Sequence, residues 1–405
     1  MINISSLLIK KKVLVFLYII SFIIFLYPYS ISGLSANYTF ILFPILFVLL
    51  SGKIKRPSEN IIKIVLFFFL ILLLGTFYQH ELFKYIDRRL ISFLIFISMF
   101  SFVVIDVDKN KIDAFKIAVV LIVLYFVVLK VNNFIIYSAA EKGNLKFYVG
   151  SSRYGFVYLL AFWIVFFYKP MSKFFYTLKF STILLILAGI FVTYSRTTII
   201  AFLFSFAAYY FGNFFLLKKK FLSKLILIVF IPIIFIILYG YLEKFFPNTS
   251  LYFSKTLFTY FSLDGLNILL ERFTNYNTSE GFRVYLLGKI LNFVSFNPFT
   301  GSGFLGCWIM FDDLKCSAHN QYGDVLFRTG FIGLFLYLYL LYKVFIHLKN
   351  NHRDLFYGYI SILVYGFFHE TFKMSQGAFI LAFILGMMVT ANRYKTISKN
   401  MTRNF

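Results

Sequence analysis

The chain has 405 residues, of which 60% are hydrophobic and only 14% charged, with 59 Phe and 30 Tyr. An average soluble domain carries about 25% charged residues, so this composition excludes a soluble globular protein and points to a polytopic membrane protein. The formal charge of +24 is divided into short basic clusters between apolar runs, which is the pattern of membrane orientation, and no nucleic-acid partner is expected.

The apolar runs are continuous rather than alternating, which predicts membrane-spanning helices and not a barrel. In chain order the predicted spans are 13–31, 35–50, 61–78, 90–105, 115–131, 154–168, 178–194, 197–215, 222–241, 322–342, 355–369 and 376–391. The first follows Lys10, Lys11 and Lys12 and is not closed by a small-x-small cleavage site, so it reads as an uncleaved anchor. If the N-terminus is cytoplasmic and connections alternate, 24 of the 40 Lys and Arg but only 5 of the 16 Asp and Glu fall on the cytoplasmic side. That asymmetry satisfies the positive-inside rule and predicts both termini inside. The expected fold is an all-α polytopic membrane protein with about twelve transmembrane helices. Its segments are helices 1 to 9 over 1–241, a large external loop over 242–321, helices 10 to 12 over 322–391 and a cytoplasmic tail over 392–405.

The external loop is far longer than an ordinary connection, and such loops are usually functional. Leu251 to Phe273 and Arg283 to Phe296 carry apolar residues at helical spacing with a few charges, predicting two helices at the membrane interface. Asn297-Pro298 stops the second, and Gly301 and Gly303 suit a tight turn before the chain re-enters the membrane. The only two cysteines, Cys307 and Cys316, lie in this loop, as a disulfide or as two unpaired thiols.

Several side chains stand out against this apolar background. Arg196 sits in the polar break Tyr194-Ser195-Arg196-Thr197-Thr198 between two spans. Ser195 can cap the following helix, and a helix N-terminus beside a guanidinium makes a site for phosphate. The alternative is an Arg that merely snorkels to the interface. Arg283, at the predicted start of the second interfacial helix, opposes the positive end of its own dipole, a mismatch that a bound anion would relieve. Arg153, Arg272 and Arg328 are further external basic residues. His319 differs from His347 and His352, which fall in a cytoplasmic connection, because Asn320, Tyr322 and Asp324 crowd it at the mouth of the tenth span. A neutral imidazole there is suited to take a proton from a sugar hydroxyl; a plain capping role is the alternative. His369-Glu370, at the external end of the eleventh span, places a carboxylate on the same side.

Two literal motifs point elsewhere. Gly301 to Gly306 satisfies G-x-G-x-x-G but lacks a surrounding βαβ unit, so a dinucleotide site is not expected. Asp106-Val-Asp108 matches D-x-D, yet Lys109 and Lys111 make it a solvated cluster in a short turn. No His, Cys and carboxylate set has metal-site spacing, and neither metal nor cofactor is expected.

Asn297-Pro298 with Gly301 and Gly303, then His319-Asn320, then Gly330-x-x-Gly333, together with Gly281-Phe282-Arg283 and the Ser195-Arg196 break, resembles the signature of the O-antigen polymerase and O-antigen ligase superfamily. The resemblance covers 178–390; the first five spans match in hydropathy alone. It implies a metal-independent glycosyltransferase of the bacterial inner membrane, acting on polyprenyl-pyrophosphate-linked oligosaccharide at the periplasmic face. By the same resemblance Arg196 and Arg283 hold the pyrophosphate and His319 activates the acceptor hydroxyl, with Ser195, Asn320, Arg153, Arg272 and Glu370 as further substrate-binding candidates. The paired Arg-x10-Gly repeats of some polymerases are absent from Arg153 and Arg283. The expected activity is polymerase, with a chain-length regulator protein as a further partner. Ligase is the nearest alternative, and a lipid-linked oligosaccharide flippase the alternative of a different class. The flippase is disfavoured because the spans are nearly free of charge and the candidate residues gather outside them.

Overall fold

A computed structural model describes residues 4–27, 59–78, 106–137, 154–192, 195–214, 263–275, 277, 279–303, 319–371 and 375–403. Every regular element among them is an α-helix. They are α1 (Ile4–Leu26), α2 (Glu59–Tyr78), α3 (Lys109–Tyr137), α4 (Gly155–Phe167), α5 (Lys173–Val192), α6 (Arg196–Phe214), α7 (Leu263–Thr274), α8 (Ser279–Phe296), α9 (Gln321–Asn351), α10 (Arg353–Tyr365) and α11 (Ser375–Arg403). Three stretches, Lys109–Leu129, Lys173–Ile190 and Gln321–Asn351, are long and apolar enough to cross a membrane; shorter apolar helices include Gly155–Phe167, Thr197–Gly212 and Gln376–Ala391. The runs read as spans at 35–50, 90–105 and 222–241 lie outside the described residues, as do Cys307, Cys316 and Arg153.

The packing centre is α10, which lies along α4 and α6, while α3 joins α1, α4 and α5. Aromatic rings fill this core. Trp163 is fully buried, donates its indole N–H to Ser205 Oγ at 3.1 Å, and meets Phe162, Phe166, Tyr209 and Tyr357 with ring centroids 5.0–5.5 Å apart. A buried indole needs such an acceptor, since an unmet N–H in an apolar interior is costly. Phe22, Phe115, Phe379 and Phe383 knit α1, α3 and α11 in the same way, the closest pair being Phe115 and Phe383 at 4.3 Å. The end of α4 is fixed by Lys179, whose Nζ donates to the carbonyls of Phe166 at 2.7 Å and Tyr168 at 2.8 Å. A lysine there satisfies free helix-end carbonyls and meets the negative dipole end. Beyond it Pro170 prevents continuation.

At the end of the bundle predicted to be cytoplasmic, Asp108 Oδ1 accepts from Lys111 N at 3.0 Å and so caps α3, while Lys111 Nζ donates to the Asp106 carbonyl at 2.8 Å. The Asp106-Val-Asp108 motif thus serves the helix start. Lys116 Nζ pairs with Asp354 Oδ2 at 2.6 Å and ties α3 to α10 at the same end.

The loop helices differ from expectation in their bounds. α8 begins at Ser279, so Arg283 lies in its second turn and does not open it. Gly281, ahead of the predicted start, lies inside α8 where it passes the end of α7: a Cβ there would collide with the Asn275 carbonyl. α8 ends at Phe296, and Asn297 Nδ2 donates back to the Phe293 carbonyl at 3.2 Å, as the Asn297-Pro298 stop predicts.

The glycine turn is an anchored element. Gly301 and Gly303 both have left-handed backbone, at φ 60° and 62°, and Gly330 breaks α9 with φ 62° and ψ −167°. The turn lodges in that break: Ser302 N donates to the Phe327 carbonyl at 2.9 Å and Phe331 N to the Pro298 carbonyl at 2.8 Å. Backbone groups freed by breaking a helix at membrane depth must find partners, and the turn supplies them. A Cβ on Gly303 would overlap the backbone of α2 at Thr76, and one on Gly330 would overlap the Pro298 carbonyl. The sequence pattern predicts that Gly330-x-x-Gly333 stands at a helix entrance; Gly330 in fact interrupts a helix that began nine residues before it, at Gln321.

Candidate functional site

The latch of turn and broken helix fixes α8 against α9, through Ile290, Val294, Leu326 and Phe327, with Phe293 and Phe327 rings 4.4 Å apart. This brings α8 beside His319. Phe282, the neighbour of Arg283, lies edge-on to the His319 ring with centroids 6.4 Å apart. His319 is the one non-glycine residue with left-handed backbone among those described, at φ 49°. That conformation, sparsely used by L residues, turns the chain just before α9.

Asn320 is the N-cap of α9. Its Oδ1 accepts from Tyr322 N at 2.9 Å and Gly323 N at 3.1 Å. The capping oxygen is therefore committed to the helix, and only the amide nitrogen of Asn320 is left to meet a ligand. Gln321 N donates to the Gly366 carbonyl at 2.8 Å, and Tyr322 Oη donates to the Leu363 carbonyl at 2.8 Å, so the start of α9 is clamped to the end of α10. Asp324, 3% exposed, takes the Nε of Arg328 at 2.8 Å. This pairing gives Arg328 a role inside α9.

On the other flank, Ser195 is buried and caps α6, its Oγ accepting from Thr198 N at 3.2 Å while its carbonyl accepts from Ile199 N at 3.1 Å. Arg196 is the first residue of α6, placed at the positive end of the helix as the sequence predicts. α4 also presents its N-terminus here: Gly155 abuts Thr198 so closely that a Cβ would overlap its hydroxyl. The segment after α10 completes the surroundings. His369 stacks on Tyr365 with centroids 4.9 Å apart and planes at 26°, and Glu370 follows it half-buried. Arg283 lies within electrostatic range of the Tyr365 phenol, which links the loop side of the site to the α6 side. Arg272 stands in the last turn of α7, with its carbonyl close to Gly281.

The site thus collects the N-termini of α4 and α6, with that of α9 clamped to the end of α10, together with Arg283, His319 and His369. Helix N-termini carry positive dipole ends, and here Ser195 and Asn320 cap part of their N–H groups. Sequence reasoning missed Tyr365, and it gave Phe282 no role beyond its place in the Gly281-Phe282-Arg283 signature. Tyr365 is one tyrosine among 30 at the end of an apolar run, and nothing in its neighbourhood marks it.

Residues 181–338 match the family described as O-Antigen ligase. Over that segment, less than half of the chain, the protein is similar to this family, whose members are glycosyltransferase-like enzymes of polysaccharide assembly. The matched segment contains Ser195, Arg196, Arg283, His319 and Asn320, and it stops before Tyr365, His369 and Glu370. No curated protein matches the chain.

Proposed function

We propose that the protein is a surface-polysaccharide polymerase of the bacterial inner membrane. It transfers a growing glycan from polyprenyl pyrophosphate to the terminal sugar of a lipid-linked repeat unit at the periplasmic face, with both termini in the cytoplasm. The observation that carries this reading is the approach of α8, through Phe282, to His319 before α9, whose start is bonded to the end of α10.

The chemistry divides as follows. His319 takes the proton of the acceptor hydroxyl as its oxygen attacks the anomeric carbon of the donor. The bond from that carbon to the pyrophosphate oxygen breaks, and polyprenyl pyrophosphate leaves with the electron pair. Its developing charge falls to Arg283, Arg196 and the α6 N-terminus; guanidinium forks match phosphate oxygens in bidentate fashion. Such positioned donors act most strongly where water is excluded. Arg153, Arg272 and Glu370 are the remaining candidates for the saccharide and the outer phosphate.

Ligase is the second reading, favoured by the description of the matched family. It uses the same donor with a lipid A core acceptor. Lipopolysaccharide banding in a deletion strain separates the readings. Loss of the ladder with a single-repeat band retained supports polymerase, and loss of all core-attached glycan supports ligase. Cytoplasmic accumulation of the lipid-linked unit sinks both and indicates a flippase.

A further inference from the structure

Tyr365 is the last residue of α10 and is fully buried. Its phenol lies within reach of the Ser195 side chain and the Gly155 backbone. Thr198 Oγ1, also fully buried, lies beside the same phenol without a well-aligned hydrogen bond. The ring and its hydroxyl therefore lie at the starts of both α4 and α6. The close approach of Gly155 to Thr198 shows that the two helix ends meet with no side chain between them. The ring of Tyr365 makes contacts of its own, packing on Phe156 with centroids 5.9 Å apart and stacking on His369 at 4.9 Å. The Tyr365 carbonyl accepts from Phe368 N at 3.0 Å and His369 N at 3.1 Å, so the turn carrying His369 is wound onto the same residue.

Two N-termini side by side repel through their positive dipole ends unless a negative or accepting group lies between them. The phenol oxygen, at the carbonyl end of α10, fills that place.

We propose that Tyr365 is a positioning residue that holds Ser195 and the α4 and α6 N-termini in register, so that their N–H groups converge on one phosphate group of a pyrophosphate-containing ligand. It acts through Ser195 and not by touching the reacting atoms. The proposal rests on the anion-site reading given above and extends it to α10, outside the segment matched by the family.

The test uses the full-length protein in detergent and inorganic pyrophosphate as the probe, with affinity read by titration and folding by thermal melting. Tyr365→Phe keeps the ring against Phe156 and His369 and removes only the hydroxyl. It is expected to weaken pyrophosphate binding about five- to tenfold, the effect of losing one neutral hydrogen bond. Ser195→Ala is expected to weaken it by a similar factor, and the double variant no further than the worse single one. Tyr357→Phe, a buried tyrosine that stacks on Phe167 away from this site, leaves the affinity unchanged. Unchanged affinity in Tyr365→Phe or in Ser195→Ala, while Arg283→Ala weakens binding, overturns the positioning role and leaves the anion site standing. Effects that multiply in the double variant also overturn it, since independent losses mean that Tyr365 does not act through Ser195. Absence of pyrophosphate binding by the unaltered protein, or full binding by Arg283→Ala, overturns the anion-site reading and the positioning role with it.

Discussion

Replacing Gly330 by Ala strikes the latch that holds the loop helix to α9. The residue sits at φ 62° and ψ −167°, a region that only glycine occupies without strain, and forcing alanine into it costs about 1–3 kcal/mol. The added methyl would also overlap the Pro298 carbonyl, whose acceptance of the Phe331 N–H at 2.8 Å closes the turn into the break. Backbone cannot rotate aside as a long side chain can, so an overpacking cost of about 1–3 kcal/mol is added. The sum, roughly 2–6 kcal/mol, is a large part of the ~5–15 kcal/mol that holds a typical protein folded. Thermal melting of the purified full-length chain, followed by tryptophan fluorescence, should show a drop of about 2–7 °C. Gly288→Ala provides the matched comparison: it lies in helical α8 with open space where the Cβ would go, and should be neutral or stabilising by up to about 1 kcal/mol. If Gly330→Ala melts with Gly288→Ala, the turn is not latched into the helix break.

Two further predictions concern charge. Arg328→Ala should destabilise the protein by about 3–5 kcal/mol because it abandons the buried Asp324 carboxylate, and Asp324→Asn combined with Arg328→Gln should recover most of the loss; melting temperatures of these variants and the unaltered protein decide this. The second concerns His352, where α9 meets α10. Burial first, then the charge of Lys116, hold its pKa below the ordinary 6.5, against the opposing pull of Asp354 and Asp113. The unfolded chain therefore binds this proton at higher pH than the folded one. The stability contributed by neutral His352 is present above about pH 6.5 and is lost as pH falls toward the folded value. Melting should fall between about pH 7 and pH 5, and His352→Gln should flatten that slope; an unchanged slope removes His352 as its source.

Much of the site was legible because capping and turn chemistry are local. Ser195 before an apolar run, Asn320 at a helix start and Asn297-Pro298 as a stop each do in the structure what their residue types dictate. Where sequence and structure part, tertiary approach imitates a local signal. The second loop helix is predicted to start at Arg283, yet α8 runs back to Ser279, and Gly281 lets it pass the end of α7. Gly330 looks like an entrance, yet it opens a helix to receive a turn. Tyr365 was invisible because its neighbours, Phe156 and Ser195, lie far away in the chain. The all-helical architecture follows from the apolar runs, and nine of the twelve runs read as spans coincide with described helices.

The central claim is that His319 and Arg283 serve one transfer reaction in different roles. Turnover of a polyprenyl-pyrophosphate-linked repeat unit by the purified full-length protein tests this most directly, with inorganic pyrophosphate affinity measured alongside. His319→Ala is expected to lose about 10²- to 10⁴-fold in kcat, the usual contribution of a positioned base, while binding pyrophosphate as the unaltered protein does. Arg283→Ala is expected to lose both turnover and affinity. Turnover by His319→Ala within a few-fold of the unaltered protein would contradict the account.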